Sequence, residues 1–169
     1  MQQKMILIIV ALTMFMESLD VSILNTSIPI ISKSLAISPI DLKLSLICYL
    51  ICLAIFVPIS GWVADKYGAK KIFLLAIIVF TISSIACGFS QILEELILAR
   101  TIQGIGASFL VPIGRLIMLK SFARKDFPLL MSYVVMLAST GLMLGPLLGG
   151  FIITHYHWAW VFWVNGPIG

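Results

Sequence analysis

Five apolar runs, each about as long as a bilayer is thick, leave this chain little choice of architecture. They occupy roughly residues 5–28, 44–64, 72–89, 96–119 and 129–154, and a sixth, over 160–169, is still apolar at Gly169. A bilayer core asks for about 20 predominantly apolar residues per helix, with every backbone N–H and C=O satisfied inside the protein. The runs are continuous rather than alternating, which argues against the strands of a membrane barrel. Of the 169 residues, 61% are hydrophobic and 11% charged, and mean hydropathy is +1.14. Soluble domains carry about 25% charged residues, so water is the wrong solvent for this composition. The expected fold class is an all-α polytopic membrane protein: a helix bundle of five complete spans plus the start of a sixth. Short connectors predict antiparallel neighbours packed side by side. No linker or low-complexity segment marks a second domain, and five spans with a truncated sixth are expected to be part of something larger. The opening Met-Gln-Gln-Lys4 looks like a signal-peptide start, but no small-x-small cleavage site follows, so a retained first span is expected.

The net charge of +4 sits in the connectors, which points to membrane orientation rather than to nucleic acid. With a cytoplasmic N-terminus, Lys4, Lys66, Lys70, Lys71, Lys120, Arg124 and Lys125 lie inside and only Lys33 and Lys43 outside, seven against two. That orientation is expected. Trp158, Trp160, Trp163 and Tyr156 then form an aromatic belt at the outer interface. His155 and His157 read as wetted loop residues; without a nearby carboxylate they make a weak metal site, and no metal is expected. Cys48, Cys52 and Cys87 lie inside apolar runs without Cys-x-x-Cys or Cys/His spacing and read as small core residues.

Charges inside a bilayer are costly and mark function by default. Glu17 and Asp20 lie three residues apart in the first span and share a helix face. Arg100 enters the fourth span from the outside, with Gln103 one turn further in. At about 1.5 Å per residue, Arg100 and Asp20 reach comparable depth, so pairing between the first and fourth helices is expected. Such a pair either ties two helices together or, facing a water-filled cavity, serves proton or ion coupling. Glu17 is read as facing the same cavity, with or without titrating. Arg115 lies fifteen residues beyond Arg100 and near the level of Asp65. It is read either as a partner for Asp65 or as a side chain reaching lipid phosphate.

Three glycine-bearing stretches complete the pattern. Gly61-Trp-Val-Ala-Asp65-Lys66-Tyr-Gly68-Ala-Lys70-Lys71 reads as a tight cytoplasmic loop whose flanking helices meet closely. The fifth span carries Gly141-x-x-x-Gly145-Pro146-x-x-Gly149-Gly150. Glycines spaced by four share a face and admit a second backbone, and the proline removes a helix hydrogen bond. This argues for a hinge or a sealing surface. Gly104, Gly106, Ala107 and Ser108 form another close-approach face.

These residues resemble the major facilitator superfamily, in particular its fourteen-span drug:proton antiporters of the EmrB/QacA type. Leu19-Asp20-Val-Ser-Ile-Leu-Asn25-Thr-Ser-Ile-Pro29 is similar to that subfamily's first-span signature. The Gly61–Lys71 stretch resembles the superfamily's cytoplasmic signature, with Ala69 where arginine is common. Arg100-Thr-Ile-Gln103-Gly104-x-Gly106 resembles the fourth-span motif linked to proton coupling, and the glycine–proline run resembles the antiporter signature. Trp158-Ala-Trp160-Val-Phe-Trp-Val-Asn165-Gly-Pro167-Ile-Gly169 is similar to a fifth motif of the subfamily, with Ala159 and Gly166 departing from its usual arginine and bulkier apolar residue.

The resemblance implies rocker-switch alternating access between two helix bundles, with substrate near the midplane. It further implies proton coupling by Asp20 and Arg100 without any other cofactor, and cavity-facing positions at Glu17, Asn25 and Gln103. Gly61, Asp65, Lys66, Gly68, Lys70, Lys71 and Arg115 would form a cytoplasmic latch. Gly141, Gly145, Pro146, Gly149 and Gly150 would bend or seal against the other bundle. The expected function is proton-coupled export of small amphipathic or cationic molecules across a bacterial-type inner membrane. The expected partners are the bilayer, a small-molecule substrate and a missing C-terminal bundle. The alternative is a non-transporting fragment or remnant of such a transporter. A membrane enzyme is not expected, because no serine–histidine, paired-carboxylate or metal constellation appears.

Overall fold

The computed structural model describes residues 2–169, and the described residues fold into five long helices and one short one. These are α1 (Gln2–Ser34), α2 (Pro39–Tyr67), α3 (Ala69–Phe89), α4 (Leu93–Ser121), α5 (Phe127–His155) and α6 (Trp160–Trp163). The five long helices each have the length and apolarity to cross a membrane. They overrun the apolar windows because their polar ends continue the helix: α1 has 33 residues, about 50 Å at 1.5 Å per residue. The sixth run is regular helix only over its first turn and continues in turns to residue 168.

The Gly61–Lys71 stretch is not a loop. Residues 61–67 are the last turns of α2 and residues 69–71 the first turn of α3, so the chain reverses at Gly68 alone. Gly68 has φ +93°, a conformation open to glycine and strained for residues with a Cβ. Its N–H bonds the Ala64 carbonyl at 3.0 Å and its carbonyl receives Ile72 N–H at 3.2 Å, so one residue ends one helix and begins the next. At the start of α2, Ser38 caps Ile40 N–H at 3.2 Å and Pro39 supplies the first helical residue.

Sequence neighbours are not the main packing partners. The extensive interfaces are α1 with α5, and α4 with α2 and α3, whereas α1–α2 and α2–α3 touch little. Short connectors fix direction, but small residues decide who packs on whom. A Cβ on Gly104 would stand 2.7 Å from the Tyr49 carbonyl oxygen in α2, and one on Gly106 would stand 2.9 Å from Phe80 N in α3. Helix α4 is thereby sandwiched. On α5, a Cβ at Gly141 would lie 2.7 Å from the Phe15 carbonyl oxygen, one at Gly145 would overlap Ser22, and one at Gly149 would lie 3.2 Å from Ile23.

Gly141, Gly145 and Gly149, expected to bend or seal against another bundle, form a seam with α1 of this bundle. Gly150 has open space around it and lies off that seam. Pro146 denies the Leu142 carbonyl its usual helical donor. The Ser22 hydroxyl, from α1, donates to that carbonyl at 2.7 Å. Helix α5 runs on without a break.

Two apolar clusters fill the bundle. One holds Val10, Met14, Phe73, Phe80, Leu110 and Ile117; the other holds Ile23, Leu24, Ile31, Leu42, Leu96 and Phe162. Trp158 packs in the second cluster at 5% exposure rather than in an outer belt, while Trp160 and Tyr156 stay exposed. Between the clusters, each of α1, α3 and α4 leaves polar side chains: Asp20, Ser84, Arg100 and Gln103.

Candidate functional site

Between the two clusters, four parts of the chain deliver one connected polar group. Asp20 of α1 and Arg100 of α4 form an ion pair, Nη1 to Oδ2, at 2.6 Å, with side chains no more than 1% exposed. The same Nη1 donates to Gln103 Oε1 at 2.8 Å. Gln103, one turn along α4, returns its Nε2 to Asp20 Oδ1 at 3.1 Å. Asn165, just beyond α6, donates Nδ2 to Asp20 Oδ1 at 2.7 Å and to Ser84 Oγ of α3 at 2.9 Å. The Ser84 hydroxyl donates onward to the Phe162 carbonyl at 2.9 Å. Cys87 Sγ lies 3.7 Å from Gln103 Oε1.

The guanidinium is held from two further sides. Its central carbon lies 5.4 Å from the ring centre of Tyr49 and 4.9 Å from that of Phe162. Such cation–π contacts are each worth about 0.5–2 kcal/mol, more when water is absent. They matter because Arg100 Nε and Nη2, Tyr49 OH and Asn165 Oδ1 are buried without a hydrogen-bond partner. Both carboxylate oxygens have donors, whereas two of the three guanidinium nitrogens have no acceptor among the described residues. Adding a proton to Asp20 would remove the opposite charge that holds Arg100 in this water-poor setting.

The other sequence-predicted residues lie apart from this group. Glu17 is half-buried on α1 and Asn25 is exposed. Gln103 is fully buried inside the network and does not face a cavity. At the Gly68 end, Asp65 pairs with Lys120 Nζ at 3.7 Å, both largely exposed. Arg115, offered as the partner of Asp65, is exposed and makes no ion pair among the described residues; Lys120, five residues nearer the helix end, takes the role. Lys66 sits over the rings of Trp62 at 4.8 Å and Tyr67 at 5.3 Å. Lys70 and Lys71 are exposed, as is Gly61.

Sequence reasoning paired Asp20 with Arg100 and set Gln103 one turn from Arg100, but read Gln103 as cavity-facing. It missed Asn165, Ser84, Tyr49 and Phe162 as members of the same group. For Asn165 a signal existed: an amide in an apolar run, inside a recognisable motif. For Ser84 and Tyr49 no periodicity distinguishes them from other span residues.

Comparison with known proteins bears on the fold as a whole. Residues 10–169 match the sequence profile of the Major Facilitator Superfamily. Over 161 residues the chain is 42% identical to the MdtD protein of Shigella flexneri serotype 5b (strain 8401) and to that of Salmonella paratyphi B. It is 41% identical to MdtD of Escherichia coli O1:K1 / APEC. The multidrug-resistance name these relatives carry is provisional. Each match covers 95% of this chain and 34% of the relative, so the chain spans about a third of their length. Among solved structures, the fold is similar to the proton:xylose symporter XylE, with TM-score 0.83 and 15% identity, covering 96% of this chain and 42% of that one. It is also similar to an inward-facing bacterial homologue of the human lysosomal transporter Spinster, with TM-score 0.71 and 18% identity, covering 96% and 41%. At such identities the likeness is one of fold.

Proposed function

The chain belongs to the Major Facilitator Superfamily, and from that membership we propose that it forms the N-terminal helix bundle of a proton-coupled exporter of small amphipathic molecules. The observation that carries this reading is the Asp20–Arg100 pair, 2.6 Å apart and shielded from solvent. A buried ion pair is a poor device for stability alone, because desolvating two charges can exceed their attraction. One proton on Asp20 cancels half of the pair, and that suits coupling between a proton and the relative stability of two conformations.

In this reading, a second bundle lies outside these residues, and substrate binds between the two near the midplane. The chain's coverage of a third of its relatives and two-fifths of XylE supports placing that bundle elsewhere. Glu17 and Asn25, the less buried polar groups of α1, line the shared cavity. The N-terminus and the Gly68 reversal face the cytoplasm, where positive charge concentrates. There Asp65, Lys66, Lys70, Lys71 and Arg115, with Lys120, form one half of a latch whose other half the second bundle supplies. By itself the 169-residue chain leaves one wall of the substrate path open and does not transport.

Efflux of a fluorescent cationic dye from cells making the complete transporter, with and without a protonophore, tests the proposal. Asp20→Asn and Arg100→Gln should each abolish the protonophore-sensitive component at unchanged membrane level. Full proton-driven efflux by both variants would overturn it. Cells making residues 1–169 alone should show no efflux above background.

A further inference from the structure

The two oxygens of Asp20 are not equivalent. Oδ1 accepts two amide N–H groups, from Gln103 at 3.1 Å and Asn165 at 2.7 Å. Oδ2 accepts only the Arg100 guanidinium, at 2.6 Å. A proton on Oδ1 would face two groups that can only donate, with nowhere to point. On Oδ2 it displaces a single donor, and Arg100 Nη1 keeps a second acceptor in Gln103 Oε1 at 2.8 Å.

The orientation of the Asn165 amide follows from its neighbours. It faces a carboxylate oxygen and the Ser84 Oγ, whose own hydrogen is committed to the Phe162 carbonyl. Both are acceptors, so the NH₂ must face them. That leaves Asn165 Oδ1 buried with no donor at all. A buried acceptor without a partner is destabilising, and a neutral carboxyl group has the O–H that it lacks.

We infer that Asn165 is a positioning residue that recognises protonated Asp20. It holds Oδ1 as the acceptor, directs the proton to Oδ2, and takes the new O–H on its own Oδ1. The balance is simple: one proton from water enters, the carboxylate becomes a carboxyl, and the Arg100–Oδ2 bond is exchanged for an Oδ2–H bond to Asn165. Protonation then exchanges one of Asp20's two bonds to α4, that to Arg100, for a second bond to the segment after α6; the Gln103 bond stays, and the Asn165–Ser84 bond keeps that segment on α3. The other titratable and charged groups around Asp20 are Glu17 on its own helix, Arg100 on α4, Cys87 on α3 and Tyr49 on α2. Helix α5 brings no titratable side chain to this level, where Gly141 and Gly145 meet α1; Tyr133 and His155 lie well along it on either side.

This inference rests on Asp20 being the group that takes the proton in the proposed function. These 169 residues contain two asparagines, Asn25 and Asn165, and the amide change that belongs to Asn165 is the one lost in Asn165→Ala. The protein is made with ¹³C at asparagine side-chain carbonyls in an Asn25→Ser background, placed in lipid bilayers, and studied by pH-difference infrared spectroscopy. A carboxyl C=O band should appear on acidification and vanish in Asp20→Asn. The ¹³C amide band of Asn165 should fall in frequency with the same pH midpoint, as expected on gaining a donor. In Asn165→Ala the carboxyl band should move to higher frequency and its midpoint should shift. A carboxyl band removed by Asp20→Asn with no change at Asn165 overturns this inference and leaves the proposed function standing. No Asp20-dependent band at any pH overturns both.

Discussion

Asp20 and Arg100 stand out in the sequence because ionised side chains in a bilayer are expensive, and their depth alone predicted that they meet. The structure adds what a distance in sequence cannot express: the guanidinium lies between Tyr49 and Phe162, and the carboxylate accepts three side-chain donors. The energetics are those of a mutually dependent pair. Asp20→Leu alone strands a guanidinium in an apolar seam and should destabilise the bundle by about 3–5 kcal/mol. Asp20→Leu combined with Arg100→Leu removes both charges and should recover most of that loss. Thermal unfolding in detergent measures it; a double variant no more stable than the single would refute the account. Asn165 stands out as an amide in an apolar run, but nothing in its own segment shows that its partner is Asp20.

Between elements, small residues and one proline govern the α1–α5 seam. The Leu142 carbonyl, deprived of a donor by Pro146, is satisfied by Ser22. Ser22→Ala should therefore cost roughly 1–3 kcal/mol, the penalty of an orphaned buried acceptor. Pro146→Ala in the same background restores a backbone N–H to that carbonyl, so the double variant should be more stable than Ser22→Ala alone. A two-variant cycle of this kind reads the coupling directly. The glycines make a second contrast. Gly145→Ala forces a methyl into Ser22, whereas Gly150→Ala meets open space. The first should lower the unfolding temperature; the second should leave it unchanged or raise it, since alanine favours helix. Equal effects at the two sites would show that spacing, not contact, is what matters. The sequence pattern did reveal a close-approach face here, but not its partner: four-residue glycine spacing says that a backbone comes near, not whose.

At the scale of the whole bundle, the distribution of charge is the determinant. The Gly68 reversal carries Lys66, Lys70 and Lys71 at one end, and the exposed His155–His157 segment lies at the other. Positive charge is retained on the cytoplasmic side, so a membrane-impermeant maleimide added outside intact cells should label His157→Cys and not Lys71→Cys. The native cysteines Cys52 and Cys87 are buried and Cys48 is half-buried within α2, so background labelling should be low. Labelling of Lys71→Cys from outside would invert the topology and with it the placement of the latch.

What the sequence determined by itself was whatever depends on one segment at a time. Run length and apolarity set the number of helices, since a bilayer tolerates little else. The cost of a buried charge singled out Asp20 and Arg100. Ordered motifs pointed to the family. What only the tertiary structure decided was every matter of partnership. It placed α4 between α2 and α3, turned the antiporter-like glycines toward α1, gave Asp65 to Lys120 rather than Arg115, and brought Asn165 onto Asp20 from 145 residues away. The physical reason is common to all four. Lipid is as apolar as the spans themselves, so hydrophobicity drives each helix into the membrane but does not choose its neighbours. That choice falls to backbone clearance and to single hydrogen bonds, and neither is visible until the helices are laid side by side.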